Sequence, residues 1–199
     1  MHLARILFEG PEGQLEGLLE LKGSTRGAVL CHPHPLYGGS MDDMVLDALS
    51  KALQVRNCST LRFNFRGVGS SEGRHDEGKG EVDDVIAAAA YLRDQGSSMI
   101  LLAGYSFGAA MCLKAEQLVK PDAMLLVAPP IQMIENFIEP RTPCLVVLAR
   151  DDQIVEAAST ADYFLNSRVE WIEGADHFFS GAHGQVESLV LEKEPELWS

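Results

Sequence analysis

The pentapeptide Gly104-Tyr105-Ser106-Phe107-Gly108 constrains the fold more than any other segment of this chain. An apolar run ends at Ala103, directly before it, and a stretch with helical character begins within it. Glycines two positions on either side of a serine are typical of a sharp strand-to-helix turn, where a Cβ would collide with a neighbouring element. The pattern predicts a strand, a turn and a helix, with Ser106 raised on the turn beside the free N–H groups of the helix.

Two further polar segments follow strand-like runs downstream of Ser106. The run 145–149 leads into Asp151 and Asp152, and the run 169–172 leads into His177. Because open α/β sheets gather the carboxyl ends of their strands at one edge, we expect these side chains near Ser106. A serine hydroxyl is a poor nucleophile near neutral pH, so His177 would take its proton and a carboxylate would orient the imidazole. The residues therefore predict nucleophilic catalysis by Ser106.

The order serine, aspartate, histidine resembles that of the α/β-hydrolase superfamily, and the resemblance spans nearly the whole chain. The segment 31–39, Cys-His-Pro-His-Pro-Leu-Tyr-Gly-Gly, is similar to the oxyanion loop after the third strand of that family. The segment 63–71 likewise resembles the loop after the fourth strand. This form of the oxyanion loop resembles that of small, lidless bacterial esterase-like proteins related to the dienelactone hydrolases. Dienelactone hydrolases proper use a cysteine nucleophile, so their substrate does not carry over to a chain with Ser106.

The resemblance also favours one of the two aspartates. In the family, the acid is usually followed by one variable residue and then by two apolar residues. Asp152 fits this pattern with Gln153-Ile154-Val155, whereas Asp151 does not. We therefore assign the carboxylate to Asp152 and interpret Asp151 as a solvated turn residue.

The resemblance implies that two backbone N–H groups stabilise the oxyanion. One is that of Phe107, and the other comes from the loop 32–36. The two prolines of that loop have no N–H to give, which leaves His34 as the first candidate and Leu36 as the second.

The candidate substrate contacts come from two segments. Leu36 and Tyr37 lie in the loop that resembles the oxyanion loop. The cap domains of the superfamily commonly follow the sixth strand, but here the insert 129–142 has room only for one short helix, so no cap is expected. The helical spacing within the insert adds Ile131, Ile134 and Phe137 as the remaining candidates, for which packing against the core is the first expectation and lining of an acyl pocket the alternative.

Composition bounds the location and partners of the protein. A net charge of −13 argues against nucleic acid and anionic membranes as partners. Four cysteines without C-x-x-C pairing, and an N-terminus that does not resemble a signal peptide, predict a cytoplasmic protein. His32 and His34 lack a third ligand at a recognisable spacing, so neither a metal nor a cofactor is expected.

Alternating strand and helix patterns predict an α/β-hydrolase fold, with a mostly parallel sheet of about eight strands and helices on both faces. Residues 1–199 are expected to form a single domain. The predicted strands are 5–8, 15–21, 28–31, 60–65, 99–103, 123–128, 145–149 and 169–172. The predicted helices are 44–55, 80–93, 107–119, 157–165 and 184–191.

These observations predict a serine hydrolase that cleaves small carboxylic esters through an acyl-enzyme on Ser106. A thioesterase or acyltransferase with the same three residues remains an alternative, because the pocket walls set the leaving group and the acceptor. A hydrolase-like fold kept as a non-catalytic binding protein is a second alternative. A small-molecule ester is the expected partner, and a homodimer is left open beside a monomer.

Overall fold

Eight strands of the chain form one sheet in the computed structural model, which describes residues 3–198. Met1, His2 and Ser199 lie outside the described residues. All three belong to the predicted domain 1–199, and Met1 and His2 also belong to the N-terminal segment considered above. The strands are β1 (Ala4–Gly10), β2 (Gly13–Glu20), β3 (Arg26–Cys31), β4 (Ser59–Phe63), β5 (Met99–Tyr105), β6 (Ala123–Val127), β7 (Cys144–Ala149) and β8 (Arg168–Ile172).

The sheet has the strand order β1-β2-β4-β3-β5-β6-β7-β8. Strands β1 and β2 form an antiparallel hairpin, and Gly13, which begins β2 directly after the turn, has a φ of 115°. Strand β2 is also antiparallel to β4, and every other neighbouring pair is parallel. A parallel pair needs a crossover connection, and from β3 onward an α-helix lies between successive strands except between β6 and β7, where the connection contains only a 3-10 turn. The predicted fold class is therefore confirmed.

Helices cover both faces of the sheet and enclose two apolar clusters. Side chains of α2 and α3 pack against one face, and those of α1 and α5 against the other. Strand β5 serves both clusters, because Ile100 and Leu102 face the first while Leu101 and Ala103 face the second. The helices are α1 (Met44–Val55), α2 (Gly80–Asp94), α3 (Phe107–Val119), α4 (Ala157–Ala161) and α5 (His183–Lys193).

The insert after β6 departs from the predicted short helix. It contains a single 3-10 turn over Ile131–Met133, and Ile134 already has an extended backbone. Asn136 at a φ of 51° and the prolines that follow exclude a longer helix. Residues 129–142 form no cap, in agreement with the sequence, and α4 ends at Ala161 rather than at residue 165.

Candidate active site

Ser106 lies on a strained turn between β5 and α3. Its φ of 51° and ψ of −118° fall outside the backbone regions that residues other than glycine normally adopt. A Cβ on Gly104 would lie 2.5 Å from the Ala109 nitrogen, and one on Gly108 would lie 2.1 Å from the Cys31 oxygen. Glycine at both positions therefore lets the turn close against α3 and β3, and Ser106 stands at the carboxyl end of the central strand.

The structure brings Ser106, His177 and Asp152 into one chain of contacts. Ser106 Oγ lies 3.0 Å from His177 Nε2, and His177 Nδ1 lies 2.7 Å from Asp152 Oδ2. The side chains of His177 and Asp152 are only 6% and 1% exposed. A histidine that donates from Nδ1 to a carboxylate keeps the lone pair of Nε2, which can accept the serine proton.

Asp152 is held as a carboxylate by its surroundings. Its Oδ1 accepts hydrogen bonds of 2.8 Å from the N–H groups of Ile154 and Val155. Burial raises the pKa of Asp152, but the hydrogen bonds from His177, Val155 and Ile154 outweigh it and leave the pKa below its ordinary value. Asp151, in contrast, has an exposed side chain, and its backbone N–H donates to the Ala175 oxygen over 3.0 Å.

Tyr105 fixes the loop that carries His177, a contact that the sequence analysis missed. Its hydroxyl donates a 2.8 Å hydrogen bond to the His177 carbonyl oxygen, and its ring lies 5.7 Å from the imidazole. Tyr105 directly precedes Ser106 on β5, so this bond ties the histidine loop to the strand of the serine. The position of Tyr105 within the pentapeptide is the only sequence signal for it.

The loop 32–39 is pinned to the sheet by His32. This fully buried imidazole donates from Nδ1 to the Pro33 oxygen over 2.6 Å and accepts from the Phe65 N–H at Nε2 over 3.1 Å. Burial lowers the pKa of His32 to about 4, against the opposing effect of the bond to Pro33. A Cβ on Gly39 would lie 2.1 Å from the Pro33 oxygen, so the loop folds back closely on itself.

The N–H groups of this loop differ in how they are used. The Leu36 N–H donates to His34 Nδ1 over 3.2 Å, and the Tyr37 N–H donates to the His34 oxygen over 3.1 Å. Within residues 3–198, the N–H groups of His34 and Phe107 have no hydrogen-bond acceptor. Both groups can therefore donate to a ligand oxygen.

An open cleft of about 560 Å³ lies over Ser106. Tyr37, one of the five predicted substrate contacts, lines it with an 88% exposed side chain. The sequence analysis missed several apolar residues that line the cleft. Two of them lie near predicted residues in the sequence: Phe178 directly follows His177, and Ile154 is two residues after Asp152. The cleft is also lined by Pro33, His34, Gly38, Gly39, Asp43, Tyr105, Phe107, Pro130, Gln132, Met133, Ile154 and Phe178.

The other four predicted substrate contacts lie elsewhere. Leu36 is exposed and does not line the cleft. Ile131, Ile134 and Phe137 line a second cavity of about 750 Å³ beside α4 and pack against the core. The packing of these three side chains agrees with the core role that the sequence favoured for them, and none of them lines the cleft over Ser106.

Three observations concern groups outside this site. Among residues 3–198, no cluster of three or more His, Cys, Asp or Glu side chains is arranged to hold a metal ion. No helix within that same range is long and apolar enough to span a bilayer. All four cysteines are buried with free thiols.

Comparison with known proteins gives the family. No protein-family model matches the chain. The uncharacterized protein RP471 of Rickettsia prowazekii is 35% identical over 89% of this chain and 82% of its own length. A solved α/β serine hydrolase homologue from Coxiella burnetii is 34% identical, with a TM-score of 0.91 over 97% of this chain and 98% of that one. This chain belongs to the α/β serine hydrolases.

A second solved member of the α/β serine hydrolases agrees with the architecture. XC6422 from Xanthomonas campestris, described as a serine hydrolase without a lid, is 29% identical with a TM-score of 0.92. The alignment covers 100% of this chain and 95% of XC6422. The resemblance to lidless, esterase-like hydrolases that the sequence indicated is thereby confirmed.

Proposed function

We propose that this α/β serine hydrolase cleaves small carboxylic esters through an acyl-enzyme on Ser106. The observation that carries the proposal is the pair of contacts at His177, 3.0 Å from Ser106 Oγ and 2.7 Å from Asp152 Oδ2. Nucleophile, base and orienting acid each stand within hydrogen-bond reach of the next, the arrangement that nucleophilic catalysis by serine requires.

In the first half of the proposed reaction, Ser106 Oγ attacks the ester carbonyl carbon while His177 Nε2 takes the hydroxyl proton. The carbonyl π electrons move onto oxygen and form an oxyanion. When this tetrahedral intermediate collapses, the bond to the alcohol breaks and His177 returns its proton to the departing alkoxide. The product is an acyl group on Ser106 and a free alcohol.

In the second half, a water molecule attacks the acyl carbon while His177 takes one of its protons. Collapse breaks the bond to Ser106 Oγ, which recovers the proton from His177, and the acid is released. Asp152 stabilises the imidazolium of both halves through Nδ1 without becoming protonated itself.

The oxyanion is proposed to bind the N–H groups of Phe107 and His34. The Leu36 N–H is already bonded to His34 Nδ1, which favours His34 over the second candidate of the sequence analysis. Phe107 is the first residue of α3, where the helix dipole strengthens the attraction of the Phe107 N–H for negative charge. Donors that are fixed before the reaction stabilise the oxyanion without reorganisation.

The cleft favours small, uncharged esters. Its volume of about 560 Å³ lies in the range of sites for small organic molecules, and most of its walls are apolar. Asp43 lines the same cleft, and its carboxylate disfavours an anionic group nearby. We expect p-nitrophenyl esters to be cleaved fastest at short acyl chains, since the insert 129–142 forms no cap over a longer one.

The test combines a substrate panel with active-site labelling. Esters, thioesters and lactones are assayed with wild-type protein and Ser106→Ala, and both are treated with a fluorophosphonate, which reacts only with an activated serine. Hydrolysis of simple esters and labelling that is lost in Ser106→Ala support the proposal. Preference for thioesters would shift the leaving group. Neither labelling nor turnover of any panel member would leave the fold as a non-catalytic binding protein.

A further inference from the structure

A second histidine–carboxylate pair, His75 and Glu81, lies outside the triad and next to the oxyanion loop. His75 Nδ1 is buried and lies 2.7 Å from Glu81 Oε1, although the two atoms are not aligned as a hydrogen bond. Glu81 is fully buried in the first turn of α2. A buried carboxylate is costly unless hydrogen bonds or an opposite charge compensate it.

Glu81 is a fixed anchor rather than a mobile side chain. Its Oε1 accepts from the Asp76 N–H and its Oε2 from the Gly78 N–H, both over 2.8 Å. These bonds shape the loop that carries His75 and place this residue beside the start of α2.

The ring of His75 packs against both residues that would supply the oxyanion donors. Its centroid lies 5.1 Å from that of His34 and 5.9 Å from that of Phe107. The rings of His34 and Phe107 also touch each other, with centroids 4.8 Å apart. The three rings thus form one cluster, which we call the ring clamp: His34, His75 and Phe107.

The clamp also preserves the hydrogen bond inside the loop. Only a neutral imidazole can accept the Leu36 N–H at His34 Nδ1. Burial and the neighbouring His75 lower the pKa of His34, while Glu81 opposes them, and the net effect favours the neutral ring. The turn that presents the His34 N–H therefore depends on groups that never contact the substrate.

We propose that His75, whose loop is shaped by the buried carboxylate of Glu81, is a positioning residue of the oxyanion hole. Through the ring clamp it holds the backbone N–H groups of His34 and Phe107 at the separation that one tetrahedral oxyanion requires. The inference rests on the proposed function, because it assigns these two groups as the donors. A displacement of about 1 Å at such a site can reduce the rate about 100-fold.

The experiment compares His75→Gln, His75→Phe and the control Arg74→Ala with wild-type protein. Glutamine keeps a polar side chain beside Glu81 but has no ring, whereas phenylalanine keeps the ring contacts. Arg74 is an exposed neighbour on the same loop. We expect His75→Gln to lose about ten-fold or more in kcat with KM changed less than about three-fold. His75→Phe should regain most of that loss, and Arg74→Ala should match wild type.

A trifluoromethyl ketone separates positioning from a loss of structure. Ser106 Oγ adds to its carbonyl carbon, the serine proton passes to His177, and the new alkoxide occupies the oxyanion hole. In His75→Gln its affinity should fall in proportion to kcat/KM, while the melting temperature explains none of the loss. A wild-type kcat in His75→Gln, or a lower kcat with unchanged ketone affinity, would overturn the proposal.

Two further outcomes are decisive. If His75→Gln does not fold, His75→Asn replaces it with the same expectation, because it also removes the ring from the clamp. If wild-type protein neither hydrolyses esters nor binds the ketone, the proposed function fails and the inference falls with it. If wild-type protein is active and the His75 variants without a ring are fully active as well, the inference is refuted and the proposed function stands.

Discussion

Acidification from pH 7.5 to pH 5.0 should destabilise the protein through His32. This imidazole is fully buried, donates to the Pro33 oxygen and accepts from the Phe65 N–H. Protonation would turn the Nε2 acceptor into a donor that faces another donor, at a position that is closed to solvent. Burial accordingly lowers the pKa of His32 from its ordinary value of 6.5 to about 4. The unfolded chain, in contrast, binds a proton near pH 6.5.

The sign of the effect follows from proton binding. Between pH 6.5 and pH 4 the unfolded state binds more protons than the folded state, so the free energy of unfolding falls as the pH falls. The full contribution of His32 is present above pH 6.5 and is lost toward pH 4. With these two pKa values the loss is about 2 kcal/mol at pH 5.0 and about 3 kcal/mol at pH 4.

Urea unfolding of wild-type protein and His32→Gln at both pH values measures this contribution. Glutamine offers an oxygen to the Phe65 N–H and does not titrate, and the other titrating groups are common to both proteins. Between pH 7.5 and 5.0, wild type should lose about 2 kcal/mol more than the variant. The imidazole resonances of His32 should stay unchanged over the same range. Equal pH dependence in the two proteins, or a His32 titration near pH 6.5, would refute the argument.

Three further predictions concern the site. Ser106→Ala and His177→Ala should each lower ester turnover by several orders of magnitude, and the double variant should be no slower, because the residues act as a unit. Asp152→Asn should lower kcat by a factor on the order of 10³ to 10⁴ with the fold intact, because asparagine no longer holds His177 in the tautomer that accepts at Nε2. Asp151→Asn should change kcat only slightly. Gly108→Ala should lower the free energy of unfolding by about 1–3 kcal/mol, because its Cβ would lie 2.1 Å from a backbone oxygen of β3.

The controls for these predictions come from the same chain. Circular dichroism of each activity variant separates lost chemistry from lost structure. Gly184→Ala is the matched control for Gly108→Ala, since a Cβ on Gly184 would point into open space. Additive losses from Ser106 and His177, a larger loss at Asp151 than at Asp152, or equal stability of the two alanine variants would each contradict the corresponding assignment.

The sheet and the placement of Ser106, His177 and Asp152 were accessible from the sequence because they depend on local patterns and on one rule of topology. Apolar runs mark the strands, and the glycines around Ser106 mark a turn that a Cβ at either glycine would prevent. The carboxyl ends of parallel strands meet at one edge, which brings a serine and a histidine 71 positions apart to within 3.0 Å. The choice of Asp152 needed the additional pattern of the resembling family.

The insert 129–142 shows where local pattern fails. Ile131, Ile134 and Phe137 have helical spacing, but the backbone is extended at Ile134 and left-handed at Asn136. A spacing of three or four residues shares a face only if the helix forms. Packing against the core and the prolines of the insert decided the path of this segment, and with it the position of these three side chains outside the cleft over Ser106.

Other features depend on contacts between segments that have no common sequence pattern. Tyr105 reaches the His177 carbonyl, the Leu36 N–H is taken up by a histidine ring, and His75 packs on both donor residues. Each contact requires loops from different strands to arrive at the same point, and loop paths are fixed by packing and hydrogen bonding across the whole molecule. Local residue patterns therefore placed the reacting side chains, while the tertiary fold selected which backbone donors and ring contacts surround them.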